Sequence, residues 1–275
     1  MFGWGIYDFL GGVFAKQIGS FKSLFWSQLA GLISVLLLAF AFKTSLNIPG
    51  LVIILSLIAA TVYSAAYLFF FKGFELGNVS IIAATMNLWA VFTMVFAFIF
   101  MGQRLSVLQT SGVLMIISGA TLASLNWSEI SHQRFQLSAG VKEAVLGAFY
   151  FGIFWNISEI ISEKVGWLLT TLFVKFGIIL CLLIFSFLVK QEIGLTKTSV
   201  KTKYVILLMG IIEAGAVALV NYGLTIGDAI LITPIASALS IVTIALAIIF
   251  LKDKVTKIQG FGIITGIAGI IVTAF

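Results

Sequence analysis

The chain is poor in charge, in cysteine and in histidine, and each scarcity removes a class of protein. Charged residues make up 9% of its 275 residues and hydrophobic ones 61%, with a mean hydropathy of +1.20. A soluble domain keeps its exterior hydrated with roughly 25% charged residues. This composition cannot build such an exterior, so the surplus apolar surface must face lipid. The single cysteine, Cys181, lies in an apolar run and reads as a small buried residue, which excludes a disulfide framework. The single histidine, His132, lies in a polar stretch with no metal partners. There is no HExxH-type pair, no glycine elbow around a nucleophile and no Walker lysine loop. A membrane enzyme and an ATP-driven pump are thereby disfavoured, and no cofactor or metal is expected. No ring of like charges or filter-like glycine run suggests a channel. The net charge of +6 does not indicate nucleic acid, because the lysines sit at the ends of apolar runs instead of gathering on one face.

What is present is a succession of apolar segments. A hydrocarbon core of ~30 Å needs about 20 residues of helix. Segments 2–18, 23–42, 50–71, 78–101, 106–125, 141–160, 167–189, 204–222, 228–251 and 256–275 qualify, the first barely. They predict an all-α integral membrane protein of about ten transmembrane helices. Continuous apolar runs of this length exclude a β-barrel, whose strands are ~10 residues with alternating polarity. Met1 leads directly into apolar sequence without a basic region, so the first segment is expected to be retained as a helix.

The two halves resemble each other. Shifted by 150 positions, residues 73–125 lie on 223–275 without a gap. Gly73, Gly77, Ile82, Thr93, Ala97, Ile99, Phe100, Gln109, Gly112, Ile117 and Gly119 meet identical residues, and Arg104 and Ser106 meet Lys254 and Thr256. Ser23-Leu24-Phe25 matches Thr171-Leu172-Phe173 more loosely. The expected organisation is a first five-helix repeat over 1–125, a connecting loop over 126–140 and a second five-helix repeat over 141–275. Five is odd, so the second copy enters the membrane from the opposite side. Such inverted repeats are a frequent plan of secondary transporters, whose solute site lies near the midplane where the copies meet.

In these features the chain resembles the drug/metabolite transporter superfamily, in its ten-helix EamA-type branch. The resemblance rests on the paired stretches Phe98-Ile-Phe-Met-Gly-Gln-Arg-Leu-Ser and Ile248-Ile-Phe-Leu-Lys-Asp-Lys-Val-Thr. These are followed by Gln109, Gly112 and Gly119 and by Gln259, Gly262, Gly266 and Gly269. Gly5 after Trp4, and Thr233-Pro234, also fit. That family usually carries an acidic residue in both loops; here Gln103 stands in the first and Asp253 in the second. The resemblance implies secondary transport of amino acids, sugars or other small metabolites without ATP, in the inner membrane of a prokaryotic cell.

Charge asymmetry orients the chain. One set of loops holds Lys16, Lys22, Lys72, Lys142, Lys190, Lys201, Lys252 and their neighbours, while the other holds only Lys43, Arg104 and Lys164. The lysine-rich side is expected to be cytoplasmic, with both termini outside; the family usually keeps both termini inside.

Charges at bilayer depth cost ~3 kcal/mol or more on insertion scales, so each needs a reason. Glu213 lies halfway along its segment. Either it faces a central cavity, as carrier of a coupling proton or holder of a cationic group, or it is a carboxyl bonded to a neighbouring helix. Asp8 is a solute ligand or part of a shallow interfacial helix. Lys175, about 12 Å of helix inside its segment, either pairs with Glu213 or Asp8, binds a solute carboxylate, or snorkels to the headgroups. Tyr63 maps onto Glu213 under the 150-residue shift and, with Tyr67 one turn on, is a cavity candidate. Trp155, Asn156, Ser158 and Glu159 give the sixth segment a polar face, beyond which Glu163 and Lys164 read as a solvated helix end. Asn87 and Trp89, and Asn221 with Tyr222, are weaker candidates. Thr233-Pro234 opens a backbone hydrogen bond near the start of the ninth segment. The stripe Gly262, Gly266, Gly269 allows close helix approach, within the chain or in a homodimer. The partners expected are a small-molecule solute, the lipid bilayer, a proton and a second copy of the chain, and no nucleic acid.

Overall fold

A computed structural model describes residues 2–7, 10, 18–45, 48–76, 82, 85–124, 139–195, 198–246, 249, 256–273 and 275. All regular structure among them is helical. After a helical stretch over residues 2–7 come α1 (Ser20–Ala41), α2 (Gly50–Leu76), α3 (Leu88–Phe100) and α4 (Val107–Ser124). The second half supplies α5 (Val141–Val189), α6 (Val200–Leu224), α7 (Ala229–Ser237), α8 (Leu239–Leu246) and α9 (Lys257–Thr273). Four of these helices are long and apolar enough to cross a membrane. At 49 residues α5 would be about 73 Å long, more than twice the hydrocarbon thickness. It is in fact two spans: Gly166 alone leaves helical geometry (φ 79°, ψ 164°), a conformation glycine adopts without a Cβ penalty. The break is tighter than the loop expected between 160 and 167.

The ninth segment, expected to be continuous, is broken into α7 and α8 at Ala238. Ser237 Oγ donates to the Pro234 carbonyl at 2.7 Å, the acceptor an unbroken helix would offer to the Ala238 amide. That amide turns to Ile235 O instead, in a 3₁₀-like bond of 3.4 Å. The fourth segment is interrupted within one residue of the matching place. Asn87, which maps onto Ser237, is a turn residue between helical Met86 and α3.

The described chain forms two compact units, neither of which is a sequence half. One comprises Ala65–Asn156 and Asp228–Phe275, the other Phe2–Ser64 and Ile157–Gly227. In the first, α4 packs on α9 through glycines. A Cβ on Gly119 would lie 2.6 Å from Gly262 O and 2.7 Å from Gly266 Cα, and one on Gly112 would lie 2.9 Å from Gly269 O. Gly112 corresponds to Gly262 and Gly119 to Gly269, so the contact is reciprocal, each glycine meeting the other's counterpart. The helices are therefore antiparallel, as oppositely inserted copies require. The stripe Gly262, Gly266, Gly269 is thus buried within the chain. Its alternative reading as a face for a second copy is corrected, because α4 already covers it.

Matching loops are built alike. Ser106 Oγ accepts from Gln109 N at 3.1 Å while Gln109 Oε1 accepts from Ser106 N at 3.0 Å. Thr256 and Gln259 repeat the box at 3.2 and 3.0 Å. These reciprocal bonds explain why Gln109 and Gln259 are identical. Replacing Ser106 by Ala is expected to lower stability by about 1 kcal/mol; an unchanged thermal unfolding midpoint in detergent would count against the box.

In the second unit α1 packs on α6, and the second span of α5 packs on α1 and α2. Phe21 stacks near Phe185 (centroids 5.5 Å) while Lys175 reaches Gln28, so α1 and this span run antiparallel. At one end Lys22 meets Glu192 at 3.2 Å and Trp26 donates to Ile193 O at 2.7 Å, which places the start of α1 beside the segment after α5. Exposed apolar residues such as Phe40, Phe187 and Leu219 make up the outward surface.

Candidate functional site

The second unit contains a charged cluster in its interior. Lys175 donates to Glu213 Oε2 at 2.5 Å and to Gln28 Oε1 at 2.9 Å. Tyr63 donates to the other carboxylate oxygen, Oε1, at 2.5 Å. The side chains of Lys175 and Glu213 are 1% and 0% exposed, and Gln28 and Tyr63 are equally buried. The snorkelling alternative for Lys175 is overturned: its ammonium is inside, held by two acceptors. Small residues make the room. A Cβ on Gly31 would stand 3.3 Å from Lys175 Nζ and 3.0 Å from Gly210 O.

Tyr63 and Glu213, exactly one repeat shift of 150 residues apart, touch each other. Two equivalent residues can meet only at the axis that relates the copies. Their helices begin in matching register too, α2 at Gly50 and α6 at Val200.

Two turns along α6, Asn221 is fully buried and bonds Ser158 Oγ (2.8 Å) and Thr171 Oγ1 (2.9 Å). Thr171 lies one turn before Lys175, so a polar seam continues from the ion pair between α5 and α6. On the other side Tyr7 and Ser27 lie 3.2 Å apart through their hydroxyls. Glu159 is buried in the same unit, and Glu163 and Lys164 are exposed. Tyr222 is half exposed, edge-on to Trp167. Asp8 lies outside the described residues, as do Asp253 and His132.

The other candidates belong to the first unit. Asn156 Nδ2 donates to Thr93 O and Gly152 O, bonds that tie helix backbones together. Trp155 lies 6.1 Å from Trp89 and 4.7 Å from Phe154, and Tyr67 meets Phe151 edge-on at 5.0 Å. Asn87 is buried at the break before α3. Gln103, where the resemblance expects an acid, accepts from the Ile230 amide at 3.0 Å. It thereby satisfies a first-turn donor of α7, a position that favours an acceptor of either charge state.

Gln28, Thr171 and the interrupted fourth span were not singled out from sequence. Gln28 carries the one available signal, a polar side chain inside an apolar run, but it lies near the segment's start where such residues are ordinary.

The described chain is a multi-pass helical membrane protein whose second unit buries a charged cluster. The profile of the EamA-like transporter family matches residues 1–125 and 138–275, and the chain belongs to that family. It is similar to Uncharacterized protein MJ1333.1 of Methanocaldococcus jannaschii, 33% identical over 130 residues that span 46% of this chain and 90% of the relative. One crystal structure of a protein aligns with 98% of this chain and 91% of its own at a TM-score of 0.76. At 14% identity, that likeness concerns the fold alone.

Proposed function

We propose that the chain is a secondary transporter that moves a small polar metabolite, such as an amino acid or a sugar, across a prokaryotic inner membrane by alternating access. Glu213 serves as its proton-binding group, with Lys175, Tyr63 and Asn221 as solute-facing or coupling residues. The observation that carries this reading is the Lys175–Glu213 pair, 1% and 0% exposed. A buried ion pair is weak as a device for stability, since an apolar replacement is often as stable or more so. Within a membrane such groups mark solute and proton pathways. The meeting of Tyr63 with Glu213 supports a midplane site between inverted copies of five spans each, 1–125 and 141–275.

The test is flux into proteoliposomes loaded with purified protein, offered metabolite pools with and without a pH gradient. Gradient-driven accumulation is expected in the native protein and its loss in Glu213→Gln. Undiminished gradient-driven uptake by that variant removes Glu213 from the scheme, and absence of any flux favours a receptor or scaffold. A second reading, export of lipophilic cations, is favoured by the aromatic group of Tyr67, Phe151, Phe154, Trp155 and Trp89. Efflux of a fluorescent lipophilic cation tells it apart.

A further inference from the structure

We infer, resting on the carrier reading above, that Lys175 and Gln28 form a carboxylate subsite and that the solute is a small monocarboxylate taken up together with one proton. The Lys175 ammonium has donors only, so the amide of Gln28 must turn its oxygen toward it, and it does so at 2.9 Å. The orientation of the amide is therefore fixed by chemistry. Its Nε2 group consequently points away, is fully buried and has no hydrogen-bond acceptor among the described residues. A buried donor left unmatched is costly and rare. Here it belongs to an amide bonded to an ammonium, so two donor groups lie close together: the ammonium meets Glu213 Oε2 and Gln28 Oε1, and the amide NH₂ meets no acceptor among the described residues. That arrangement suits an incoming carboxylate, one oxygen on Lys175 Nζ and the other on Gln28 Nε2. A cationic solute would meet the Lys175 ammonium and the NH₂ of Gln28, both donors, and would share Glu213 with Tyr63 and Lys175, which already bond its two oxygens.

The exchange balances with one proton. The arriving R–CO₂⁻ takes the place of Glu213 on the Lys175 ammonium. The proton that accompanies it binds the vacated Oε2 of Glu213, giving Glu213–CO₂H, while Tyr63 keeps its hydrogen bond to Oε1. No covalent bond besides that O–H forms, and the buried charge before and after is the same. Lys175 and Tyr63 are the titratable groups in contact with Glu213 among the described residues.

The experiment uses the full chain in proteoliposomes with an internal pH dye, and radiolabelled lactate and pyruvate, neutral lactamide and cationic choline as probes. Lactate and pyruvate are expected to enter with protons, and lactamide and choline to be excluded. Gln28→Met, close in shape but without the donor, is expected to raise KM for lactate about tenfold, the worth of one hydrogen bond to a charged group, with kcat changed much less. Binding of lactate in the native protein is expected to produce the infrared C=O band of a protonated carboxyl, and Glu213→Gln to abolish it. That band reports on the site even if a variant folds poorly. Uptake of lactamide or choline without lactate or pyruvate overturns the carboxylate subsite and leaves the carrier reading standing. Lactate uptake without proton movement overturns the protonation of Glu213. If none of the probes moves and lactate raises no carboxyl band, the inference fails, and the metabolite-pool flux above decides the carrier reading by itself.

Discussion

Lys175→Met and Glu213→Gln are each expected to destabilise the protein by about 3–5 kcal/mol, and the double variant by far less than the sum. Lys175→Met leaves the Glu213 carboxylate with Tyr63 as its one hydrogen-bond donor in the cluster. Glu213→Gln leaves an ammonium whose other acceptor is the neutral Gln28 amide. In either case a buried charge loses the countercharge that offset its desolvation. The double variant removes both charges at nearly constant volume, and the new amide at 213 still accepts from Tyr63. Thermal unfolding in detergent gives the stabilities, and flux gives the transport activity. All three variants are expected to lose proton-driven uptake, while the double variant alone unfolds close to the native temperature. That divergence separates a transport role from a packing role. If the two single effects simply add, the ion pair is not the coupled unit that its geometry describes.

The legible part of this site and the illegible part differ for a physical reason. Glu213 stands out in sequence because nothing but function or a partner tolerates a carboxyl in the middle of an apolar span. Its depth is a one-dimensional fact. Its partner is not: Lys175 is 38 residues away, on the preceding span, and in one dimension Asp8 is as good a candidate. Gln28 acquires meaning only once Lys175 fixes its amide, a relation 147 residues long. The interrupted spans were missed for the opposite reason. The break at Ala238 depends on one hydroxyl, Ser237, competing for one carbonyl, and serine in a membrane helix usually bonds backward without breaking it.

The duplication proved more informative than any single motif. A shift of 150 residues, found from glycines and loop chemistry, also relates the capping boxes at Ser106 and Thr256 and the starts of α2 and α6. It relates the two residues that touch at Tyr63 and Glu213 as well. The symmetry is broken there, a phenol facing a carboxylate, and the lysine is supplied by only one copy. An asymmetric pair on a symmetric frame fits the proposed coupling of one proton per cycle.

Gly210→Val is expected to cost transport at least tenfold and stability about 3 kcal/mol, the upper end of overpacking in a well-packed core. A Cβ at 210 would fall on the carbonyl oxygen of Ser27 and lie 2.9 Å from Ala30 Cβ. The first obstacle is helix backbone, which cannot swing aside as a long side chain can, so α6 must move away from α1. Glu213 lies one turn beyond Gly210 on α6, and Gln28 follows Ser27 on α1. The displacement therefore opens the site itself: Gln28 and Lys175 move from Glu213 together or lose each other. Gly215→Ala, on the same helix, provides the contrast. Nothing stands within 4 Å of the added methyl group, and alanine is the better helix former by about 1 kcal/mol. That variant is expected to unfold at the native temperature or slightly above and to transport normally. Flux and unfolding measured on both variants test the close approach of α1 and α6. A Gly210→Val protein as active as Gly215→Ala would mean that this approach does not hold the ion pair in place.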